Sequence, residues 1–208
     1  MLTTLPNLLT LSRIAAIPLV IVTFYVPLPY GPWIGCCLFA LAGFTDWLDG
    51  QLARRWKQQS ELGRFLDPIA DKLLVAAILF MLGALQLRQD PPPGTLAVTI
   101  LFILPALVIL SREILVSGLR EHLATLKVRV PSSRLAKWKT GLQMGAIGVL
   151  LVGDAGPAIL PVTLIGELML WAAAVLTLVT GYDYLRSGLV HMTNETPPVE
   201  TAKPSGAR

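Results

Sequence analysis

The chain has 208 residues, of which 54% are hydrophobic and only 14% charged, against about 25% charged in a soluble globular domain. That balance points to the bilayer and leaves no length for a separate soluble domain. The net charge of +4 sits mainly in connecting loops, where basic groups attract anionic lipid, so no nucleic-acid partner is expected.

Six apolar stretches approach the roughly 20 residues that cross a hydrocarbon core. They cover about 8 to 26, 32 to 56, 66 to 88, 96 to 124, 135 to 153 and 160 to 187. The expected fold class is all-α, a polytopic membrane protein with six transmembrane helices in one domain, 1–190, followed by a tail, 191–208. The first stretch, MLTTLPNLLTLSRIAAIPLVIV, lacks a basic leader and a small-residue cleavage site, so it reads as a retained helix and not as a signal peptide. Cys36 and Cys37 are neighbours in the second stretch and cannot easily bridge each other; they read as packing or lipid-facing residues. His122 and His191 have no spaced partner and read as neither catalytic nor metal-binding.

Proline and glycine break the stretches at VPLPYGP (26 to 32), DPPPG (90 to 94) and GDAGP (153 to 157), none of which holds a lysine or arginine. The other connections are basic: Arg54, Arg55, Lys57, Arg64 and Lys72 surround one, and Arg120, Lys127, Arg129, Arg134, Lys137 and Lys139 the other. The positive-inside rule makes these ends cytoplasmic, with both termini, and leaves Arg88 outside. The tail from about Asn194, NETPPVETAKPSGAR, has nothing to bury and reads as a disordered cytoplasmic extension.

Charge is concentrated where the second and third stretches meet. Asp46, Asp49, Gly50, Ala53 and Arg54 fall at i, i+3, i+4, i+7 and i+8, one helix face, and Gly63, Asp67 and Asp71 form another. If the two helices form a hairpin, two carboxylate stripes face each other. Carboxylates so close would take up protons unless cations neutralised them, and all-oxygen ligands suit the hard ions Mg²⁺ or Mn²⁺. Two such ions could bridge the four aspartates and leave positions for phosphate oxygens. Gly50, Ala53 and Gly63 give a ligand room to approach, and Arg54 could answer a phosphate. A solvated cap or salt-bridge lattice is the plainer reading for one or two aspartates; four, with glycines between them, favour a metal and phosphate site.

This segment, D-x2-D-G-x2-A-R-x8-G-x3-D-x3-D from Asp46 to Asp71, resembles the defining motif of the CDP-alcohol phosphotransferases at all eight of its fixed positions. The resemblance implies a six-helix membrane enzyme, a homodimer, with its site at the cytoplasmic surface. It implies that Asp46, Asp49, Asp67 and Asp71 hold the metals and that Gly50, Ala53, Arg54 and Gly63 line the CDP pocket. Asp71 would be the base for the acceptor hydroxyl. Asn7 and Thr10 join the CDP pocket as candidates, although an asparagine after proline also serves as a helix cap.

The acceptor must be read outside this motif. SREILVSGLREHLA places Arg112 and Arg120 at i and i+8, and RLAKWKTGLQ adds Arg134, Lys137 and Lys139. Singly, each could snorkel or pair with Glu113 or Glu121; together they suit a phosphorylated acceptor. Arg112 and Lys137, nearest the membrane-facing ends of their segments, are the leading contacts, with Arg120 and Lys139 beside them.

These two segments, and PNLLTLSR with Pro6, Asn7, Thr10 and Arg13, resemble the branch of the family that makes phosphatidylglycerophosphate in bacteria. That likeness implies CDP-diacylglycerol as donor, sn-glycerol 3-phosphate as acceptor and the bacterial inner membrane as location. No serine or cysteine near the acids has a histidine partner, which favours direct attack over a covalent intermediate. The alternatives are another alcohol acceptor, such as inositol phosphate, serine or phosphatidylglycerol, and a divalent-cation transporter.

Overall fold

The computed structural model describes residues 5–27, 29–56, 61–88, 99–125 and 134–193. Regular structure among them is helical throughout: α1 (Leu5–Thr23), α2 (Tyr30–Trp56), α3 (Glu61–Arg88), a π-helical turn (Thr99–Ile103) leading into α4 (Leu104–Thr125), α5 (Arg134–Val152), a 3-10 turn (Gly153–Ala155) and α6 (Val162–Thr193). Pro105, which has no amide hydrogen for the carbonyl at 101, stands at the junction of the π turn with α4.

Among the described residues three segments are long and apolar enough to cross a membrane: Phe65–Leu87, Ile100–Thr125 and Val162–Arg186. Against the six spans expected, α1 offers a shorter apolar stretch, Leu8–Thr23. Of the remaining two, α2 carries the motif acids along its second half, and α5 opens on Arg134, Lys137 and Lys139. The tail from 194 lies outside the described residues, and α6 runs to Thr193, past the expected domain end at 190.

The core is built from one stripe of each helix. On α3 it is Leu74, Val75, Ile78, Leu79 and Leu82, at i, i+1, i+4, i+5 and i+8; on α5 it is Ala146, Ile147, Leu150 and Leu151; on α6 it is Leu170, Ala173 and Ala174. The opposite faces keep large apolar side chains exposed, among them Leu107 and Ile114 on α4 and Leu164, Leu168 and Leu178 on α6. Such faces suit lipid. In lipid the hydrophobic effect does not press helices together, so close packing of small residues must do so. The α5–α6 pair, the most extensive contact in the molecule, shows this. A Cβ built on Gly166 of α6 would stand 2.6 Å from Leu150 Cγ and 3.3 Å from the Leu150 backbone nitrogen, so the crossing closes only over glycine.

α1 packs against both α2 and α3, whereas among the described residues α2 and α3 scarcely touch each other. α1 therefore packs against both helices of the expected hairpin, and Asp46 of α2 and Asp71 of α3 meet across the guanidinium of Arg13.

Candidate active site

Asp46 lies in the second half of α2, and Asp67 and Asp71 lie one turn apart near the start of α3. α1 supplies a partner for each. Thr10 donates its hydroxyl to Asp67 Oδ1. Arg13, one turn further on the same face, donates through Nη1 to Asp71 Oδ1 and forms an ion pair through Nη2 with Asp46 Oδ1 at 2.9 Å. The Arg13 side chain is 1% exposed, while those of Asp46 and Asp71 are 44% and 46% exposed. The cation is thus sealed inside while the carboxylates stay half-exposed. Two like charges can share this place because a planar guanidinium presents separate N–H groups to each.

Gly63 is buried near the start of α3. Asn7 lies on α1, and Asp49, Gly50, Ala53 and Arg54 on α2, but their side chains lie outside the described residues. Among the described residues no three histidine, cysteine, aspartate or glutamate side chains form one ion's ligand set. The donor chemistry nonetheless fits a hard divalent ion. Asp46, Asp67 and Asp71 are all-oxygen donors, and a carboxylate that accepts one or two hydrogen bonds keeps lone pairs for a metal.

A second charged cluster forms where α4, α5 and α6 meet. Glu113 of α4 accepts a hydrogen bond from Lys139 Nζ of α5 and lies 3.5 Å from Arg112 Nη1. Arg112 also donates through Nη2 to Thr180 Oγ1 of α6 at 3.2 Å. Thr180 passes its own hydroxyl hydrogen back along α6, to Leu176 O at 2.8 Å. Gly181 makes room for the arginine, since a Cβ there would stand 2.9 Å from Arg112 Cγ and 3.2 Å from Arg112 Nε. Arg112 Nε, Gln143 Oε1 and Thr177 Oγ1 are buried with no hydrogen-bond partner among the described residues. Buried polar groups are rarely left so, and each stands ready for a polar ligand or water.

The four basic residues expected in this region divide. Arg112 and Lys139 enter the cluster, and Lys139 is buried. Arg120 is exposed with its guanidinium 5.8 Å from the centre of the Tyr184 ring. Lys137 is exposed, because two residues along a helix turn it about 200° from Lys139. Lys72 of α3 donates to Pro68 O at 2.8 Å, one turn back on its own helix.

Spacing alone does not reveal Arg13, Glu113, Thr180 or Gly181 as parts of the site. For Arg13 a signal exists: a lone arginine inside an apolar run, one turn after a threonine, which needs a buried counter-charge. For Thr180 and Gly181, uncharged and far along the chain, none does.

Six α-helices among the described residues, with motif aspartates of α2 and α3 held from α1 and a recessed basic cluster on α4 and α5, fit the class that the comparisons find. The family model described as CDP-alcohol phosphatidyltransferase matches residues 3–179, and the chain belongs to that family. Its relatives include the CDP-diacylglycerol--glycerol-3-phosphate 3-phosphatidyltransferase of Rickettsia bellii, 48% identical over 183 residues that cover 88% of this chain and 94% of the relative. Enzymes of the same name from Haemophilus influenzae and Cereibacter sphaeroides are similar at 39% and 37% identity. They cover 88% and 92% of this chain and 91% and 98% of the relatives.

Proposed function

We propose that this protein transfers the phosphatidyl group of CDP-diacylglycerol to sn-glycerol 3-phosphate, giving phosphatidylglycerophosphate and CMP in anionic phospholipid synthesis. The reading takes its donor and acceptor from what the relatives are named for. The observation that carries the acceptor is the Arg112–Glu113–Lys139 cluster: two cations share one carboxylate, and Arg112 Nε has no acceptor among the described residues. A phosphate monoester supplies the missing negative charge and acceptor oxygens together. An unphosphorylated alcohol would leave that charge unanswered.

The reaction is a direct displacement. The free primary hydroxyl of glycerol 3-phosphate forms a bond to the phosphorus carrying diacylglycerol as the bond from that phosphorus to CMP breaks. Asp71 takes the hydroxyl proton, late in a loose transition state, so a carboxylate of ordinary basicity suffices. Mg²⁺ or Mn²⁺, as two ions on Asp46, Asp49, Asp67 and Asp71, would neutralise the pyrophosphate and the departing CMP. Gly50, Ala53, Arg54 and Gly63 would line the CDP pocket, with Asn7 and Thr10 at its edge; Thr10 then acts through Asp67, to which it is bonded.

Six spans, with α1, α2 and α5 completing the three long apolar segments, would put both clusters at the cytoplasmic face of the inner membrane. There the acyl chains stay in lipid while CDP and glycerol 3-phosphate remain in water. Both termini would be cytoplasmic, and exposed apolar helix faces would serve lipid and a second copy in a homodimer.

The test is CMP release by purified protein in detergent with CDP-diacylglycerol and Mg²⁺, comparing glycerol 3-phosphate with glycerol, inositol phosphate and serine. Release that requires glycerol 3-phosphate and stops on chelation is expected. Release with a different alcohol would overturn the acceptor, and release that survives chelation would overturn the metal. No release with any alcohol, joined to isotope uptake into sealed vesicles, would favour the transporter.

A further inference from the structure

The three described motif aspartates come from two helices that scarcely touch, and each is bonded to a side chain of α1. Arg13 holds two of them, Asp46 and Asp71. It is among the largest fully buried side chains of the molecule, and it is a charge. Burying an ion without repayment is costly, so its place there must be justified by the two carboxylates it joins.

From this geometry we infer that Arg13 is a positioning residue, which spans from α1 to α2 and α3 and fixes Asp46 and Asp71 at the separation that binds a divalent ion. The inference rests on the metal reading above. It differs from the plainer role of a counter-charge in a way that can be measured by sign. A counter-charge competes with the metal, so removing it strengthens metal binding to two less-neutralised carboxylates. A positioning group pre-organises the ligands, so removing it weakens binding although the site becomes more negative. Groups that orient metal ligands in this manner typically govern metal affinity by about 10- to 100-fold.

The experiment is titration of the metal-free full chain in detergent with Mn²⁺, followed by loss of the free-ion electron paramagnetic signal, for the parent, Arg13→Gln and Arg13→Lys. Elution as a single species and a retained thermal transition check folding. Weakening of Mn²⁺ binding by about 10-fold or more in Arg13→Gln is the expected result. Arg13→Lys, which keeps the charge but lacks the planar fork, should also weaken binding, and it decides the matter if the glutamine variant does not fold. Unchanged or tighter binding in Arg13→Gln, or full affinity in a folded Arg13→Lys, overturns the positioning role while the metal site stands. No saturable binding by the parent overturns the metal reading itself and this inference with it.

Discussion

In the acidic half of the site one sealed cation, Arg13, holds two half-exposed carboxylates; in the basic half one carboxylate, Glu113, holds two cations that are largely recessed. Asp46 and Asp71 are 44% and 46% exposed, against 14% and 4% for the Arg112 and Lys139 side chains. The same device, a single counter-ion at the junction of three helices, therefore serves opposite ends. Exposed carboxylates can take hydrated metal ions and a nucleotide from water. Recessed cations meet only a ligand small enough to reach them and anionic enough to replace lost hydration, as a three-carbon phosphate is.

The deepest break in this comparison is on the acidic side. Asp67→Asn keeps an oxygen for the Thr10 hydroxyl and removes only the charge, so the thermal transition should stay near that of the parent. Turnover should fall by about 1,000-fold or more, the scale of several kcal/mol of lost transition-state stabilisation. CMP release near the parent rate would end the metal assignment.

On the basic side, Lys139→Met removes one charge-assisted hydrogen bond and leaves Glu113 to Arg112 alone. The KM for glycerol 3-phosphate should rise about 10- to 100-fold, from roughly 1.5–3 kcal/mol per such bond. The KM for CDP-diacylglycerol should move less than about 2-fold, a fraction of a kcal/mol. Equal rises in both constants would mean that the two halves are not separate substrate sites.

Gly181→Ala tests the same half from the side of α6. The added methyl would lie 2.9 Å from Arg112 Cγ and force the arginine off its rotamer at about 0.5–1.5 kcal/mol. A rise of about 3- to 10-fold in the KM for glycerol 3-phosphate follows. Gly166→Ala is the control for packing. Its methyl meets Leu150 at the α5–α6 crossing and should cost about 1–3 kcal/mol of stability, read as a lower thermal midpoint, with both KM values unchanged in the folded fraction.

The two halves also differ in how far the sequence discloses them. The acidic half is local: its aspartates lie within two consecutive helices at helical spacing, and repulsion among them demands a cation whatever surrounds them. Apolar length likewise places the helices, with every described helix overlapping an expected stretch. The basic half draws on residues from Arg112 to Tyr184 in three helices, and its uncharged members, Thr180 and Gly181, acquire meaning only when α6 lies beside α4. Pattern also misses the contact of α1 with both acidic stripes. The sequence pairs the two acidic stripes directly, whereas the structure joins Asp46 and Asp71 through Arg13 of the first helix.

Lys137 gives the smallest expected effect and the sharpest contrast, because it differs from Lys139 by two positions and by little else. Nearness to the membrane-facing end of its segment favours Lys137 as the phosphate contact. Helical phase favours the other: Lys139, Gln143, Ala146, Ile147 and Leu150 fall at i, i+4, i+7, i+8 and i+11, and all are buried, whereas Lys137 stands off that stripe and is exposed. An exposed ammonium beside others adds to the field that draws an anion in, and salt screens that contribution within about 10 Å at 0.1 M. Lys137→Met should therefore change the KM for glycerol 3-phosphate by less than about 2-fold at physiological salt, with a slightly larger effect at low salt. A rise that matches that of Lys139→Met and persists at high salt would show that α5 turns when the acceptor binds, bringing Lys137 inward and making the recessed cluster a state that the substrate remodels.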